Sequence, residues 1–271
     1  MARGWVEVGS RVYVRRYRFF DQNIVALLGR DETLIVDSRS TARQAAEIQA
    51  DLRELAAPPV TVVVNSHGHS DHVFGNHTFR PCAIWGHVRC AAMVRATGER
   101  QRRVLASEVP ELAAELAALV IDVPDRTFTE SATVEFGGRS AELRYLGRGH
   151  TDNDIVLVAA DADVVCAGDL LENGATPYFG DGYPLDWPAT SAALLDLIGR
   201  QTVVIPGHGD HAGRAFVEES QRQFTELASL ARRVQADELT LDEAVGVAPY
   251  PAESAREPLS RAIAQLRGEL G

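Results

Sequence analysis

The chain opens on three short apolar runs, "RVYVRRY", "NIVALL" and "TLIVD", which predict strands in quick succession. The period then changes. In "STARQAAEIQADLRELA" a Ser/Thr cap precedes Ala, Ile and Leu at helical spacing. "VTVVVN" is a continuous β-branched run, the pattern of a strand buried on both faces. After "CAIWG" one or two helices span roughly 87 to 119, and the region 126 to 167 is strand-rich. There Gly137-Gly138 reads as a hairpin turn, with "DIVLVA" and "DVVCAGD" as buried strands. A helix near 188 to 200 leads to the short strand in "TVVIPGHG". The tail, 212–271, reads as a helical extension: Phe216, Phe224, Leu227, Ala231 and Val234 form one stripe, Thr240 with Glu243 resembles a capping box, and 254 to 269 suits a last amphipathic helix. Strands then helices, twice over and without a low-complexity linker, predict one α/β domain over 1–271, two sheets face to face with helices outside.

Composition narrows the function classes. With 45% hydrophobic and 24% charged residues over 271 positions, the chain can bury a large core without staples. A net charge of −11 argues against a broad phosphate-binding face, so no nucleic-acid partner is expected. Cys82, Cys90 and Cys166 are an odd number without framework spacing, which makes a reducing cytoplasm the simplest compartment. The start, "MARGWVEVGSRVYVRR", lacks the apolar stretch of a signal peptide. No run reaches the ~18 to 20 apolar residues that span a bilayer, so no membrane partner is expected. A homo-oligomer is compatible with this composition.

The segment "SHGHSDHVFGNH", Ser66 to His77, holds four of the eight histidines and follows a predicted strand directly. Loops at the C-terminal ends of strands are where α/β folds commonly place binding groups. Residues two apart in an extended loop face one side, so His67 and His69 can reach one ion, and Asp71 and His72 can then face a second. Further ligands are available at comparable strand ends: His150 in "GRGHTDND", Asp169 closing "VVCAGD", and His208 in "IPGHGDH". The Asp169 carboxylate is placed to bridge two ions. Glycine beside each ligand lets the backbone turn tightly next to an ion. His77, His87 and His211 match nothing further and read as structural or surface residues, and Cys166 as core.

His-x-His-x-Asp-His, then Gly-His-Thr, Gly-Asp and Pro-Gly-His-Gly, in this order over residues 37 to 209, resembles the metallo-β-lactamase-fold superfamily. The resemblance implies a four-layer αββα sandwich and two Zn²⁺ per chain, iron or manganese being alternative ions. It implies that His67, His69 and His150 hold the first metal and Asp71, His72 and His208 the second, with Asp169 between them. Asp37 matches a position that supports the ligands from behind. None of the seven ligand positions departs from the dinuclear pattern.

Such a site generates hydroxide near neutral pH, which attacks the carbonyl of a small-molecule ester, thioester, lactone or amide. Asp71 is the candidate catalytic residue, orienting the nucleophile and passing a proton to the leaving group. The Gly- and Pro-rich stretch "LLENGATPYFGDGYPLDW" carries Tyr178, Phe179, Tyr183 and Trp187. These aromatics read equally as substrate contacts or as anchors of a long loop. Tyr178 and Arg148 are the candidate substrate-binding residues. The expected activity is zinc-dependent hydrolysis of activated carbonyl substrates. The alternatives are a β-lactamase, a mononuclear iron persulfide dioxygenase-like enzyme using His67, His150 and Asp169, and a non-catalytic metal-binding protein.

Overall fold

The computed structural model describes residues 4–270; Met1 to Arg3, part of the stretch read above for a leader, lie outside it. Strands β1 (Val6–Gly9), β2 (Val12–Tyr17), β3 (Gln22–Leu28) and β4 (Thr33–Val36) open the fold, followed by helix α1 (Ala42–Glu54) and strand β5 (Val60–Val64). The short helix α2 (Ser70–Val73), strand β6 (Ala83–His87), helices α3 (Val88–Glu108) and α4 (Ala113–Ala117), and strand β7 (Arg126–Phe128) complete the first half. The second half is β8 (Ser131–Phe136), β9 (Arg139–Arg144), β10 (Val156–Ala159), β11 (Val164–Asn173), α5 (Trp187–Leu197) and β12 (Val203–Gly209). Helices α6 (Arg214–Gln235), α7 (Leu241–Val247) and α8 (Ala252–Leu266) end it.

Hydrogen bonding runs β7-β6-β5-β4-β3-β12-β11-β10-β9-β8, with β2 and β1 added beside β3. The two halves of this path meet where His208 of β12 pairs with Gln22 of β3. They fold face to face about that junction. Val25, Leu27, Leu34 and Val64 of one half share a buried cluster with Val134, Leu143, Leu157 and Cys166 of the other. On the outer face of the first half, α1 packs through Ile48 and Leu52 onto Ile24, Ile35 and Val63. On the outer face of the second, α5 to α8 pack through Trp187, Phe224, Leu259 and Ile263 onto Val156, Val165 and Val204. This is the αββα sandwich with its helical extension. Cys166 lies in the layer between the sheets, and all three cysteines are buried and free.

Local sequence explains most boundaries. The Thr41 side chain accepts from the Gln44 N–H and starts α1. Thr240 and Glu243 form the expected capping box of α7. Gly137 and Gly138 take φ of 50° and 77° in the tight turn joining β8 to β9, where an L side chain would be strained. Strand β1 escaped the apolar pattern because its residues are exposed or half-buried and it pairs with β2 across a register shift.

Two boundaries differ from expectation at the site. Asp169 and His208 sit inside strands rather than at or after their ends. β11 continues past Asp169 to Asn173 through register shifts on both sides of Gly168, which adopts φ of 53°. That irregularity re-aims the chain without ending it. In the histidine segment, α2 begins straight after His69, so Asp71 and His72 stand on a helical turn and not in an extended loop.

Candidate metal centre

His67 lies in the loop after β5, His69 is the residue immediately before α2, and Asp71 and His72 occupy that helix. His150 is held by the turn that follows it: Thr151 donates its N–H and its hydroxyl to the Asp154 carboxylate, both at 2.7 Å. Asp169 and His208 come from the paired strands β11 and β12. The glycine of Pro-Gly-His-Gly has a specific reason. A Cβ at Gly207 would stand 1.8 Å from Asp169 Oδ1, so any side chain there would displace the carboxylate.

The donor atoms converge in two groups. His69 Nδ1 lies 3.0 Å from His67 Nε2 and 2.9 Å from His150 Nε2. Asp71 Oδ2 lies 3.3 Å from His72 Nε2 and 3.4 Å from His208 Nε2. Asp169 stands between them. Its Oδ2 is 3.8 Å from His67 Nε2, 3.5 Å from His150 Nε2 and 3.2 Å from His208 Nε2, while Oδ1 is 3.4 Å from His72 Nε2.

The opposite nitrogen of each ring faces an acceptor. His72 Nδ1 bonds to Asp37 Oδ2 at 2.8 Å, His150 Nδ1 to the Tyr178 carbonyl at 3.0 Å, and His208 Nδ1 to the Phe20 carbonyl at 2.6 Å. His67 Nδ1 faces Ser66 Oγ at 3.1 Å, and His69 Nε2 faces the Asp181 carboxylate at 2.9 Å. Holding the proton on the outer nitrogen leaves five imidazole lone pairs aimed at one another and at two carboxylates. Buried polar atoms ordinarily find partners. Here His72 Nε2 and Asp169 Oδ1 are buried without a hydrogen bond. A set of five imidazoles and two carboxylates suits transition metals of zinc's character, and seven donors exceed what one tetrahedral ion uses.

The electrostatics agree. Burial opposes charge on His72, yet Asp169, Asp71 and Asp37 together outweigh it and hold the imidazole well above its ordinary range. Burial is likewise outweighed at His208, which Asp169 and Asp71 push up to about 10. His67 is held well below the usual range by burial and His72, and burial takes His150 down to about 4. Asp71, despite its burial, is lowered to about 2 by His72 and His208. The carboxylate field therefore favours positive charge on the side of Asp71, His72 and His208.

Asp37 follows β4 with φ of 66° and accepts three bonds, from Ser66 N–H, Ser66 hydroxyl and His72, each at 2.8 Å. Tyr178 lines the cavity above the site, its ring centred 6.2 Å from that of His69 and 5.9 Å from that of His150. Arg148 is not brought to the cavity. Its guanidinium pairs with Asp186 at 2.6 Å and lies over the Tyr183 ring, so its charge is already spent. The other aromatics of the loop anchor it: Phe179 and Trp187 are buried, and Trp187 stacks on Phe224 at 4.5 Å. From α8, Arg261 donates to the Gly182 carbonyl and Gln265 accepts from the Leu185 N–H. His77 is exposed beside Asp122, His87 stacks on Tyr145, and His211 is exposed.

Two neighbours of the centre were missed by the sequence reading. Asp181, in "YFGDGY", is the partner of His69. Glu172 is pushed up to about 7 by burial and by Asp169, and accepts from the Tyr178 N–H at 2.9 Å. An acidic residue flanked by glycines in the aromatic loop was the one visible signal for Asp181. Glu172 carried none.

Residues 17–209 match the family model described as the metallo-beta-lactamase superfamily, and the chain belongs to that superfamily. Helices α6 to α8 lie beyond the matched range. A metallo-beta-lactamase type 2 of Bacteroides fragilis is 28% identical over 139 residues, covering 49% of this chain and 56% of its own length. One of Bacillus cereus is 23% identical over 188 residues, covering 68% and 65%. The chain thus spans between about half and two thirds of the length of these curated relatives. Among solved structures, a metallo-beta-lactamase from Pontibacter korlensis superposes with a TM-score of 0.64 at 18% identity, over 82% of this chain and 98% of its own. One from Pseudomonas aeruginosa, in its mono-zinc form, gives 0.65 at 17% identity, over 82% and 94%. At these identities the likeness is one of fold.

Proposed function

We propose that this protein is a hydrolase holding two metal ions, zinc foremost, that cleaves activated carbonyl substrates: thioesters, lactones or carboxylic esters. One observation carries the reading, the convergence of seven donors as two triads with Asp169 between them. His67, His69 and His150 would hold one ion, Asp71, His72 and His208 the other. When bound, such ions supply hydroxide near neutral pH and polarise the carbonyl oxygen. Asp71, kept as a carboxylate at the cavity floor, would orient the nucleophile, take up its proton as the new C–O bond forms and deliver that proton to the leaving group as the scissile bond breaks. An alkoxide or thiolate leaves with little help, whereas an amide nitrogen must be protonated. Arg148, the cation weighed for that task, is bound to Asp186. The names of the curated relatives favour a second reading, β-lactam hydrolysis.

Elemental analysis of protein purified without added metal is expected to find close to two transition-metal ions per chain. A single iron and no zinc would transfer the assignment to an oxygenase using His67, His150 and Asp169. At equal zinc loading, kcat/KM for short acyl thioesters and lactones is expected to exceed that for a chromogenic β-lactam. A β-lactam preferred by more than ~100-fold, about 2.7 kcal/mol in the transition state, would establish the second reading instead.

A further inference from the structure

Single exposed apolar side chains are common on protein surfaces, so only their convergence carries information. Among the described residues seven large apolar side chains are strongly exposed, and three of them, Phe20, Val104 and Tyr178, line the same cavity. They come from three separate elements: the turn before β3, helix α3 and the loop after β11. The cavity has a volume of about 720 Å³, and its floor carries His69, Asp71, His150, Asp169 and His208. Met93 continues the apolar wall of α3 from Val104 toward that floor, packing so closely over Gly68 that a Cβ there would meet its sulfur at 2.9 Å. Two polar residues of α3 also line the cavity between them, Arg100 and Gln101, and Glu108 lines it beyond Val104; the Gln101 amide is engaged with the Gly68 carbonyl and the Thr97 hydroxyl.

We infer that this wall is a subsite for an extended alkyl or acyl chain, so that the substrates are carbonyl compounds with a medium-length apolar tail. The inference rests on the hydrolase reading above and adds the substrate class. The scissile carbonyl lies on the floor and the tail runs out along α3, covered by Phe20 and Tyr178. A volume of this size falls within the range of small-molecule sites that bury most of a ligand. Burying one methylene corresponds to about a fourfold gain in affinity.

The test uses the metal-loaded protein and two series. In the first, kcat/KM is measured for acetyl to decanoyl thioesters of one neutral thiol. In the second, equilibrium binding of ethane- to octanesulfonate is measured by calorimetry. Both are expected to rise up to about fourfold per methylene, giving octanoyl at least about a tenfold advantage over butanoyl. Val104→Thr, which keeps the shape and adds a hydroxyl, and Tyr178→Ser should flatten both slopes. Val120→Thr alters an exposed valine away from the cavity and should leave them steep. Flat series in the unaltered protein, with acetyl turned over as well as octanoyl, would overturn the subsite and leave the hydrolase intact. No turnover of any thioester would instead count against the hydrolase, while the sulfonate slopes would still decide the subsite.

Discussion

Replacing Asp169 by alanine is expected to lower turnover by about 10³, the scale lost when one preorganised electrostatic group leaves an active site. The same change should leave the metal-free protein folded, its thermal midpoint moved by only a few degrees. The asymmetry follows from geometry. Asp169 presents Oδ2 to His67, His150 and His208 and Oδ1 to His72, so one side chain addresses both donor groups. It contributes little elsewhere: Oδ1 has no hydrogen-bond partner, and Gly207 packs against the carboxylate without a side chain. Alanine leaves His67, His69 and His150 intact, so one ion should stay while the other dissociates at lower chelator concentration. Turnover of the best thioester, bound metal after dialysis and the melting temperature of the chelated protein measure the three parts separately. Full activity with two retained ions would remove Asp169 from the bridging role.

Much of this candidate site was legible in the sequence because the side chains it brings together lie in short motifs beside strands. The β-branched run of β5 announced the strand that delivers His67, and the stretches around His150, Asp169 and His208 carried glycines that mark close backbone approach. The helices were legible for a similar reason, since caps such as Thr41 and Thr240 act within four residues. Local patterns report local contacts. Extensions of regular structure through an irregularity are harder: β11 continues beyond Gly168 because Glu172 and Asn173 pair with His208 and Gly209 of β12, a partner some 36 residues away.

The parts that were not legible depend on where long side chains end. Arg148 stands two residues from His150, yet its reach takes it to Asp186 and Tyr183, away from the cavity. Asp181 meets His69 across 112 positions of sequence. The aromatic loop read equally as pocket or anchor, and its residues divide: Tyr178 faces the cavity while Phe179 and Trp187 pack beneath it. That division is set by α6 and α8, whose Phe224, Arg261 and Gln265 hold the loop from behind. The C-terminal helices thereby fix the position of Tyr178, whose carbonyl in turn orients His150.

Asp37→Asn is the second change expected to have a large effect, and it acts without touching the cavity. Asp37 is buried, and its carboxylate accepts from three donors, Ser66 N–H, Ser66 hydroxyl and His72 Nδ1. Asparagine tolerates the left-handed backbone at this position, φ 66°, so the substitution isolates the side chain. Its amide has one acceptor oxygen, and its NH₂ must face at least one of the three donors. If the oxygen stays with Ser66 N–H, which is fixed by the backbone, then His72 loses the partner that keeps its proton on Nδ1. The cost of leaving a buried donor unpaired is about 1–3 kcal/mol of stability. Loss of such an outer partner typically weakens metal binding by about 10- to 100-fold. Both effects should fall on an ion that Asp71, His72 and His208 would hold, and an ion at His67, His69 and His150 should be affected less. Competition with a graded series of chelators resolves two binding steps, and only the weaker one should move. Equal weakening of both steps would mean that Ser66, which also faces His67, and not His72, carries the influence of Asp37.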